Sequence, residues 1–312
     1  MTKELSKTMF SNSFNGYRSG FVTLVGRPNA GKSTLLNAIM QKKIAITSNT
    51  AQTTRHRFRA VKTTDDYQLV IVDTPGIHKP HDALGEELNT SALKALEDVD
   101  VVAMLIDSSQ EVGTGDEWVA RQLASVRTKK VLVLSKTDLV DQDVLSKQRA
   151  AAASLADWDA VVSCSAVDGE NVDGFVRTVV DLLPEGPRWF PDDMETDQPL
   201  EVVVAEFIRE KILRTFRDEI PHAIGVQTEE LRYVKKKDLY QIRAIVYTEH
   251  DSQKGMIIGK RGSAIKRIGT EAREDLERML GCRIYLDLSV KVKKNWRRDA
   301  NQIRRFGYGE GA

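Results

Sequence analysis

Residues 26–33 read Gly-Arg-Pro-Asn-Ala-Gly-Lys-Ser and have the composition and spacing of a phosphate-binding loop. Glycines let the backbone curl so that successive N–H groups face phosphate oxygens, and a following helix adds partial positive charge at its N-terminus. The apolar run before the loop and the helical pattern after it argue against a chance glycine-rich turn. Lys32 is expected to reach the β- and γ-phosphates, and the Ser33 hydroxyl suits Mg²⁺. The loop residues expected to bind a nucleotide are Gly26, Asn29, Ala30, Gly31, Lys32, Ser33 and Thr34.

A second polar group, Asp-Thr-Pro-Gly at 73–76, directly follows another apolar run. A carboxylate at the end of a neighbouring parallel strand is placed to hold Mg²⁺ through water, and Gly76 lets a backbone N–H approach the γ-phosphate. Between these motifs lies the polar stretch 48–57. One of its threonines is expected to close over Mg²⁺ and the γ-phosphate; we favour Thr54 over Thr53, although the residues alone do not separate them. The predicted metal ligands are Ser33, Thr54 and Asp73, and the catalytic candidates here are Lys32, Thr54 and Gly76.

The choice of base is expected to depend on Ser-Lys-Thr-Asp at 135–138, which ends a later apolar run. The Asp138 carboxylate can accept two hydrogen bonds from the N1–H and N2–H₂ edge of guanine, a pairing that adenine cannot provide. The Lys136 stem can lie along the base. Further on, Ser165 and Ala166 can offer a backbone N–H to guanine O6. The predicted ligand is GTP or GDP, with Ser135, Lys136, Asp138, Ser165 and Ala166 around the base.

The residue after the 73–76 motif is Ile77, where many GTPases have a glutamine that orients the attacking water. Isoleucine has no hydrogen-bonding group, so we expect slow intrinsic hydrolysis that depends mainly on Lys32, Mg²⁺ and the loop N–H groups. Arg55, His56 and Arg57 lie nearby in the sequence. We interpret these three as solvated or partner-facing side chains rather than as catalytic groups.

Short β-branched runs alternate with longer amphipathic stretches over residues 20–184. Strands that are almost wholly apolar, each followed by a helix-length segment, predict an α/β domain with a mostly parallel, doubly wound sheet. The runs at 57–64 and 67–74 are joined by a turn too short for a parallel crossover, which predicts an antiparallel hairpin. Residues 1–19 are predicted to be a flexible polar tail. Residues 185–199, rich in proline and acidic residues, are predicted to be a linker.

Residues 200–312 are predicted to form an α+β domain. It should contain a helix that ends at Pro221, two strands within 223–250, a helix over 263–280 and a last strand at 283–293. The end of this domain is basic, since residues 254–312 hold 15 lysines and arginines against 7 acidic residues, while the whole chain has a net charge of +1. Such asymmetry is typical of a nucleic-acid contact surface, and a solvated charged face is the alternative.

The composition excludes several classes of protein. With 41% hydrophobic and 29% charged residues, the chain resembles globular proteins rather than disordered or fibrous ones. No apolar run approaches the ~18 residues that span a bilayer, and the first residues lack the apolar region of a secretory signal. The two cysteines, Cys164 and Cys282, do not fit a disulfide framework. We therefore expect a cytoplasmic setting.

In order and spacing, these motifs resemble those of translation-factor-class GTPases, and nearly everything after residue 20 resembles the Era family of bacterial small-ribosomal-subunit assembly GTPases. The chain departs from that family in one place. The family's base-binding motif usually starts with Asn or Thr, so the shorter side chain of Ser135 is expected to make a weaker link to the phosphate loop. Asn29 resembles the loop asparagine that supports a bound K⁺ in related GTPases, which makes it a catalytic candidate. The matching segments are GRPNAGKST, AQTTRHR, DTPGIHKP, SKTD, SCSA, REKILRTFRDEIPHAIGV and MIIGKRGSAIKRIG.

In the second domain, Gly-Lys-Arg-Gly at 259–262 resembles the G-x-x-G loop of a type II KH domain, where two helices clamp about four single-stranded nucleotides. Glycines admit the sugar–phosphate chain, cations meet phosphates, and isoleucines form an apolar floor for bases unless they are core residues. Trp296 and Phe306 in the basic tail are expected to add to this surface, with a solvated basic end as the alternative. The predicted RNA-binding residues are Ile257, Ile258, Gly259, Lys260, Arg261, Gly262, Lys266 and Arg267.

The resemblance implies a GTPase that uses Mg²⁺, and K⁺ as a further cofactor, and that binds the 3′ end of 16S rRNA and assists assembly of the 30S subunit. It also implies a monomer that binds no DNA. Peripheral contact of the basic face with the cytoplasmic membrane is an additional expectation, although the sequence has no lipidation signal. Ile77 and Ser135 leave open a passive nucleotide-binding RNA-binding protein or chaperone with negligible hydrolysis, and Asp138 disfavours an ATP-using enzyme.

Overall fold

The computed structural model describes residues 16–50, 53–77, 80 and 82–308 of the 312-residue chain. Residues 1–15 of the predicted tail lie outside the described residues, and the first strand already begins at Arg18. Residues 18 and 19 therefore belong to the fold rather than to a tail. Within the described residues, no helix is both long and apolar enough to cross a bilayer.

A six-stranded sheet forms the first unit. Its spatial order is β2-β3-β1-β4-β5-β6, and every neighbouring pair is parallel except β2 and β3, which form the predicted antiparallel hairpin. Strand β4 has six buried residues out of seven, so its sheet must be covered on both faces. The strands are β1 (Arg18–Gly26), β2 (Phe58–Thr63), β3 (Tyr67–Asp73), β4 (Val101–Asp107), β5 (Lys129–Ser135) and β6 (Ala160–Cys164).

Among the described residues, five helices cover the two faces of this sheet. Helices α1 and α5 pack with Val22 and Leu24 of β1 on one face, whereas α2, α3 and α4 pack with Val25 of the same strand on the other. Asp82 and Asp141 cap α2 and α4 by accepting hydrogen bonds from backbone N–H groups. The helices are α1 (Lys32–Met40), α2 (Ala83–Lys94), α3 (Thr114–Leu123), α4 (Gln142–Ala153) and α5 (Val172–Leu182). This is the predicted doubly wound α/β arrangement.

The second unit has a three-stranded sheet of order β7-β8-β9, in which β7 and β8 are antiparallel and β8 and β9 are parallel. Helices α6, α8 and α9 contribute apolar side chains to a core with all three strands. The elements are α6 (Leu200–Thr215), α7 (Ile220–Ala223), β7 (Gly225–Val234), β8 (Leu239–Thr248), α8 (Asp251–Ile258), α9 (Ser263–Leu280), β9 (Arg283–Val292) and α10 (Ala300–Arg305).

The predicted helix ending at Pro221 is wrong at its C-terminal end. Helix α6 ends at Thr215, because Phe216 adopts an extended conformation, and Pro221 instead lies in the first turn of the separate helix α7. Proline suits the start of a helix, where its missing N–H is not needed. Proline therefore marked the beginning of a second helix and not the end of the first.

Residues 185–197 run along the first unit. Gln68 of β3 is fully buried and fixes this segment: its side-chain oxygen accepts hydrogen bonds from the N–H groups of Trp189 (2.7 Å) and Phe190 (3.0 Å). Its side-chain nitrogen donates to the carbonyl of Phe190 at 2.9 Å. Farther along, the N–H of Val61 donates to the carbonyl of Glu195 at 2.9 Å. The connecting segment is thus hydrogen-bonded to the sheet.

Gln68→Ala is expected to release residues 189–190 from the sheet, because two backbone N–H groups and one carbonyl lose their partner. The loss of these hydrogen bonds is expected to lower the free energy of unfolding by about 2 kcal/mol. Limited trypsin digestion should then cut after the exposed Arg188 faster than in the unchanged chain. Gln241→Ala, at an exposed position of β8, is the control. Equal cleavage rates at Arg188 in all three proteins would contradict this role of Gln68.

Candidate nucleotide and RNA sites

The phosphate-binding loop lies between the end of β1 and the start of α1. Its backbone is curled, with positive φ at Gly26 (148°), Asn29 (65°) and Gly31 (91°). A side chain at Gly26 would lie 2.5 Å from the carbonyl oxygen of Leu105, so only glycine fits there. Lys32 folds over the loop and its Nζ donates to the carbonyls of Gly26 (3.2 Å) and Arg27 (3.0 Å). The loop therefore has the shape that phosphate binding requires.

The structure brings together Ser33, Thr54 and Asp73, the three predicted metal ligands. The Oγ atoms of Ser33 and Thr54 are 2.9 Å apart, and each hydroxyl lies within 3.2 Å of Asp73 Oδ2. Thr53 instead directs its hydroxyl to the carbonyl of Thr50 at 2.6 Å. Of the two threonines that the sequence left open, Thr54 is therefore the one beside the loop.

This group of oxygens fits Mg²⁺. Two hydroxyls and a carboxylate are the hard oxygen ligands that the ion prefers. Asp73 is fully buried, and its Oδ1 has no hydrogen-bond partner among the described residues. A buried carboxylate oxygen without a partner is costly unless a cation or water meets it.

Burial also sets the protonation of the two charged groups in this site. It raises the pKa of Asp73 to about 6, against the opposing charge of Lys32 and the hydroxyls of Ser33 and Thr54. Burial lowers the pKa of Lys32 to about 8, and the charge of Asp73 opposes that shift. Near pH 7 the carboxylate is therefore ionised and the ammonium protonated, which is the combination that Mg²⁺ and phosphate need.

The base-binding motif lies next to the phosphate loop at the end of β5. Despite its short side chain, Ser135 donates from Oγ to the carbonyl of Ala30 at 2.7 Å, and Ile106 O lies 3.0 Å from the same atom. The expected loosening of this link is not seen in these distances. Lys136 forms an ion pair with Asp107 at 2.6 Å, a contact that the sequence analysis did not identify. The sequence feature that could have indicated this ion pair is Asp107, an acidic residue at the end of β4.

The remaining base residues are arranged around an open edge. The Asp138 side chain is exposed in a short helical turn after Lys136. The N–H of Ser165 already donates to the carbonyl of Glu170 at 3.0 Å. Of the two predicted donors to guanine O6, this leaves the N–H of Ala166.

Gly76 and Ile77, which come shortly after Asp73 in the sequence, lie against the phosphate loop. A side chain at Gly76 would lie 3.0 Å from backbone atoms of Pro28, so the two loops touch. The N–H of Ile77 donates to the carbonyl of Gly26 at 3.2 Å, and the Ile77 side chain is fully buried among apolar residues. Ile77 therefore has neither the chemistry nor the position to orient water. Asn29, on the other side, donates from Nδ2 to the carbonyl of Asn49 at 2.7 Å.

The Gly-Lys-Arg-Gly loop joins α8 to α9, as the sequence indicated. Gly259, Arg261 and Gly262 all have positive φ, which makes a tight loop. Its cations Lys260 and Arg261 are exposed, as are Lys266 and Arg267 in the first turns of α9. Ile258 is partly buried. The prediction that Ile257 binds RNA is wrong, because this side chain is fully buried in the core of the second unit.

The expectation that Trp296 and Phe306 extend the RNA surface is also wrong. Both side chains are buried in a cluster with Leu84 and Leu88 of α2, so the basic tail packs on the first unit. Trp296 donates from Nε1 to the carbonyl of Ala223 at 3.0 Å. An aromatic residue between basic residues can either contact RNA or pack in a core. The sequence does not distinguish these two roles, whereas the packing in the structure does.

Residues 42–50 and 53–57, named here the switch segment, contact the second unit directly. Lys43 forms ion pairs with Glu210 of α6 and Asp275 of α9, and the N–H of Thr47 donates to Glu210 at 2.9 Å. The side chains of Arg55 and His56 are buried, whereas Arg57 is exposed. The acidic residues of α6 carry no local motif, so sequence reasoning missed this interface.

Two family models match the chain. A model described as a 50S ribosome-binding GTPase matches residues 21–136, and a KH domain model matches residues 219–297. A crystal structure of an Era variant from Aquifex aeolicus bound to GDP·AlF₄⁻ is 35% identical, with a TM-score of 0.90 over 94% of this chain and 99% of that chain. An Era structure in complex with MgGDPNP and nucleotides 1506–1542 of 16S ribosomal RNA is also 35% identical, with a TM-score of 0.91 over the same shares.

The fold and the phosphate and base loops thus define a P-loop GTPase domain followed by a type II KH domain. The two Era structures align with this chain over 94% of its length, and this narrows the class to one family. The chain belongs to the Era family of GTPases.

The affinity of the nucleotide-bound chain for Mg²⁺ is expected to fall as the pH drops below about 6, because the proton on Asp73 competes with the cation. Calorimetric titrations in two buffers of different ionisation enthalpy should show proton release on Mg²⁺ binding near pH 5.5 and much less at pH 7.5. Asp73→Asn is the control, since only the titration of the nucleotide phosphates remains in it. The same proton release in both proteins would contradict the assignment.

Proposed function

We propose that this protein is a GTP-hydrolysing assembly factor that binds the 3′ end of 16S rRNA through its KH domain and assists formation of the 30S subunit in the cytoplasm. One observation carries the proposal: a complete nucleotide site and a G-x-x-G clamp with exposed cations lie in one chain that matches, over 94% of its length, an Era bound to MgGDPNP and 16S rRNA nucleotides. The GTPase domain extends to residue 184, residues 185–199 connect the domains, and the RNA-binding domain begins at residue 200. The protein acts as a monomer.

Each residue of the nucleotide site has a role that follows from its position. The loop N–H groups and Lys32 are placed to bind the phosphates, and Ser33, Thr54 and Asp73 are the residues that would hold Mg²⁺. Mg²⁺ when bound neutralises charge on the phosphate oxygens. Ser135 holds the base loop to the phosphate loop, and Asp138 accepts the guanine edge. Gly76 leaves room for its N–H to face the γ-phosphate.

Hydrolysis is slow because, among the residues that the structure describes, no side chain is placed to orient the attacking water. Ile77 is buried, and the charged candidates Arg55 and His56 point into the second unit. Charge stabilisation by Lys32 and the loop N–H groups therefore supplies most of the catalysis. A monovalent cation beside the loop would add to it, and Asn29 lies next to the carbonyl of Asn49, an oxygen of the type that coordinates K⁺.

GTP turnover is expected to be at least about fivefold faster in KCl than in NaCl at equal ionic strength, because K⁺ would stabilise phosphate charge in the absence of an arginine finger. Asn29→Gly should remove the difference. Glycine tolerates the positive φ of 65° at this position, so the loop keeps its shape. Phosphate release measured in both salts decides the matter, and equal rates in the unchanged chain would exclude the role of K⁺.

RNA binding is expected to depend on the exposed cations around the G-x-x-G loop. A short single-stranded RNA from the 3′ end of 16S rRNA should bind more tightly with a non-hydrolysable GTP analogue than with GDP. The double substitution Lys260→Ala and Lys266→Ala should weaken binding roughly tenfold. It should also make the negative slope of log affinity against log salt concentration shallower by about 1.4. Fluorescence anisotropy at several salt concentrations measures both quantities.

The matched control is Lys147→Ala with Arg149→Ala, which removes two exposed cations from α4 of the GTPase domain. Unchanged affinity in the KH variant, or an equal loss in both variants, would contradict a specific clamp. Gly259 is a poor choice for this test, because a Cβ there would lie 2.7 Å from Cβ of Ala264. A substitution at Gly259 would distort the loop rather than remove a contact.

A further inference from the structure

Arg55 is a buried arginine with an elaborate set of partners in the KH domain. Only 1% of it is exposed. Its Nη1 donates to the carbonyl of Ile224 at 2.6 Å, and its Nη2 to the carbonyl of Pro221 at 3.2 Å. The guanidinium also lies over the rings of Trp296 (5.8 Å) and Tyr308 (5.4 Å). Carbonyl oxygens and aromatic faces are the neutral partners that suit a buried cation.

Thr53, the neighbour of Thr54 on the side away from Arg55, is bonded to the same domain. The carbonyl of Thr53 accepts a hydrogen bond from Nη2 of Arg209 in α6. Arg209 is itself fully buried and forms a two-point contact with Glu206, from Nε at 2.8 Å and from Nη2 at 2.6 Å. The donor is therefore fixed in place. Both neighbours of Thr54 are bonded to the KH domain.

Thr54 depends on these contacts for its position. Residues 53–55 belong to neither a helix nor a strand, so no ladder of backbone hydrogen bonds fixes them. The Thr54 hydroxyl contacts Ser33 and Asp73 at 2.9 and 3.2 Å, and these are weak constraints by themselves. A ligand placed by a small number of side-chain contacts gains affinity when neighbouring contacts restrict its motion beforehand.

We propose that Arg55 is a positioning residue for Thr54: by inserting into the KH domain, Arg55 holds Thr54 where it meets Mg²⁺ and the γ-phosphate, and so sets the preference of the site for GTP over GDP. The inference rests on the proposed function in one respect, namely that Thr54 contacts Mg²⁺ and the γ-phosphate. It goes further by giving the KH domain a part in nucleotide selection. Arg55 acts through Thr54 and touches neither nucleotide nor metal.

The test uses the full chain with Arg55→Lys and Arg55→Met. Lysine keeps the charge but loses the planar fork that bonds two carbonyls, and methionine keeps much of the volume without the charge. The affinities for fluorescent GDP and for a fluorescent non-hydrolysable GTP analogue are measured with Mg²⁺ and with EDTA. Arg57→Lys and Arg57→Met, at an exposed position two residues away, are the matched controls.

The expected result is a roughly tenfold loss of affinity for the GTP analogue in Mg²⁺, with GDP affinity within about twofold of the unchanged chain. The difference between the Arg55 variants and the unchanged chain should become smaller in EDTA, because the contact of Thr54 with the metal is then lost. The Arg57 variants should behave like the unchanged chain.

Three results would overturn the proposal. Equal losses for GDP and the analogue would show a merely structural role, unchanged affinities would show no role, and failure of both Arg55 variants to bind GDP would place Arg55 in the structural core alone. RNA binding by the same proteins is measured separately. Absence of RNA binding in the unchanged chain would contradict the proposed function without altering the comparison of the two nucleotides.

Discussion

The burial of one carboxylate, that of Asp73, is the constraint on which the nucleotide site depends. Asp73 lies at the end of an interior strand with no contact to solvent, so its charge is unfavourable until other groups compensate it. Lys32 and Ser33 of the phosphate loop and Thr54 of the switch segment supply that compensation. The site therefore forms only when the phosphate loop, the strand and the switch segment are all in place. A metal ion completes this balance of charge.

Much of this site could be predicted from the sequence, because each motif is contiguous and directly follows an apolar strand. Parallel strands place their carboxyl ends at one edge, so adjacent motifs such as 26–33 and 73–76 must meet there. The position of Thr54 was harder to predict, since two adjacent threonines have identical chemistry. The structure distinguishes them, because the Thr54 hydroxyl contacts Ser33 and Asp73 whereas the Thr53 hydroxyl points to the carbonyl of Thr50.

The predictions that failed concern residues whose partners are distant in the sequence. Trp296 packs near Leu84, more than two hundred residues away, and no local pattern indicates that contact. Ile257 lies in a helix of eight residues, too short for periodicity to decide which of two adjacent isoleucines faces the core. The end of α6 depended on the conformation of Phe216 rather than on a strong breaker. Tertiary packing decided all three.

The acidic and basic side chains of the KH domain have different partners. Its acidic residues Glu210 and Asp275 meet Lys43 of the GTPase domain, while the cations near the G-x-x-G loop remain exposed. Burial raises the pKa of Asp275, but hydrogen bonds from Lys211 and Lys43 outweigh it and bring the pKa to about 2. The stabilisation from this carboxylate is therefore present above pH 3.8 and is lost as the pH falls toward 2.

The segment between the domains also protects the first sheet. Strand β2 is an outer strand of that sheet, and outer strands present unpaired backbone groups that can pair with another molecule. Residues 195–197 occupy part of this edge, through Glu195 to Val61, a bridge between Thr196 and Ala60, and an ion pair of Asp197 with Arg59. A GTPase domain cut before residue 195 would expose this edge and become prone to aggregation, so the connecting segment has to be kept with the domain that it follows.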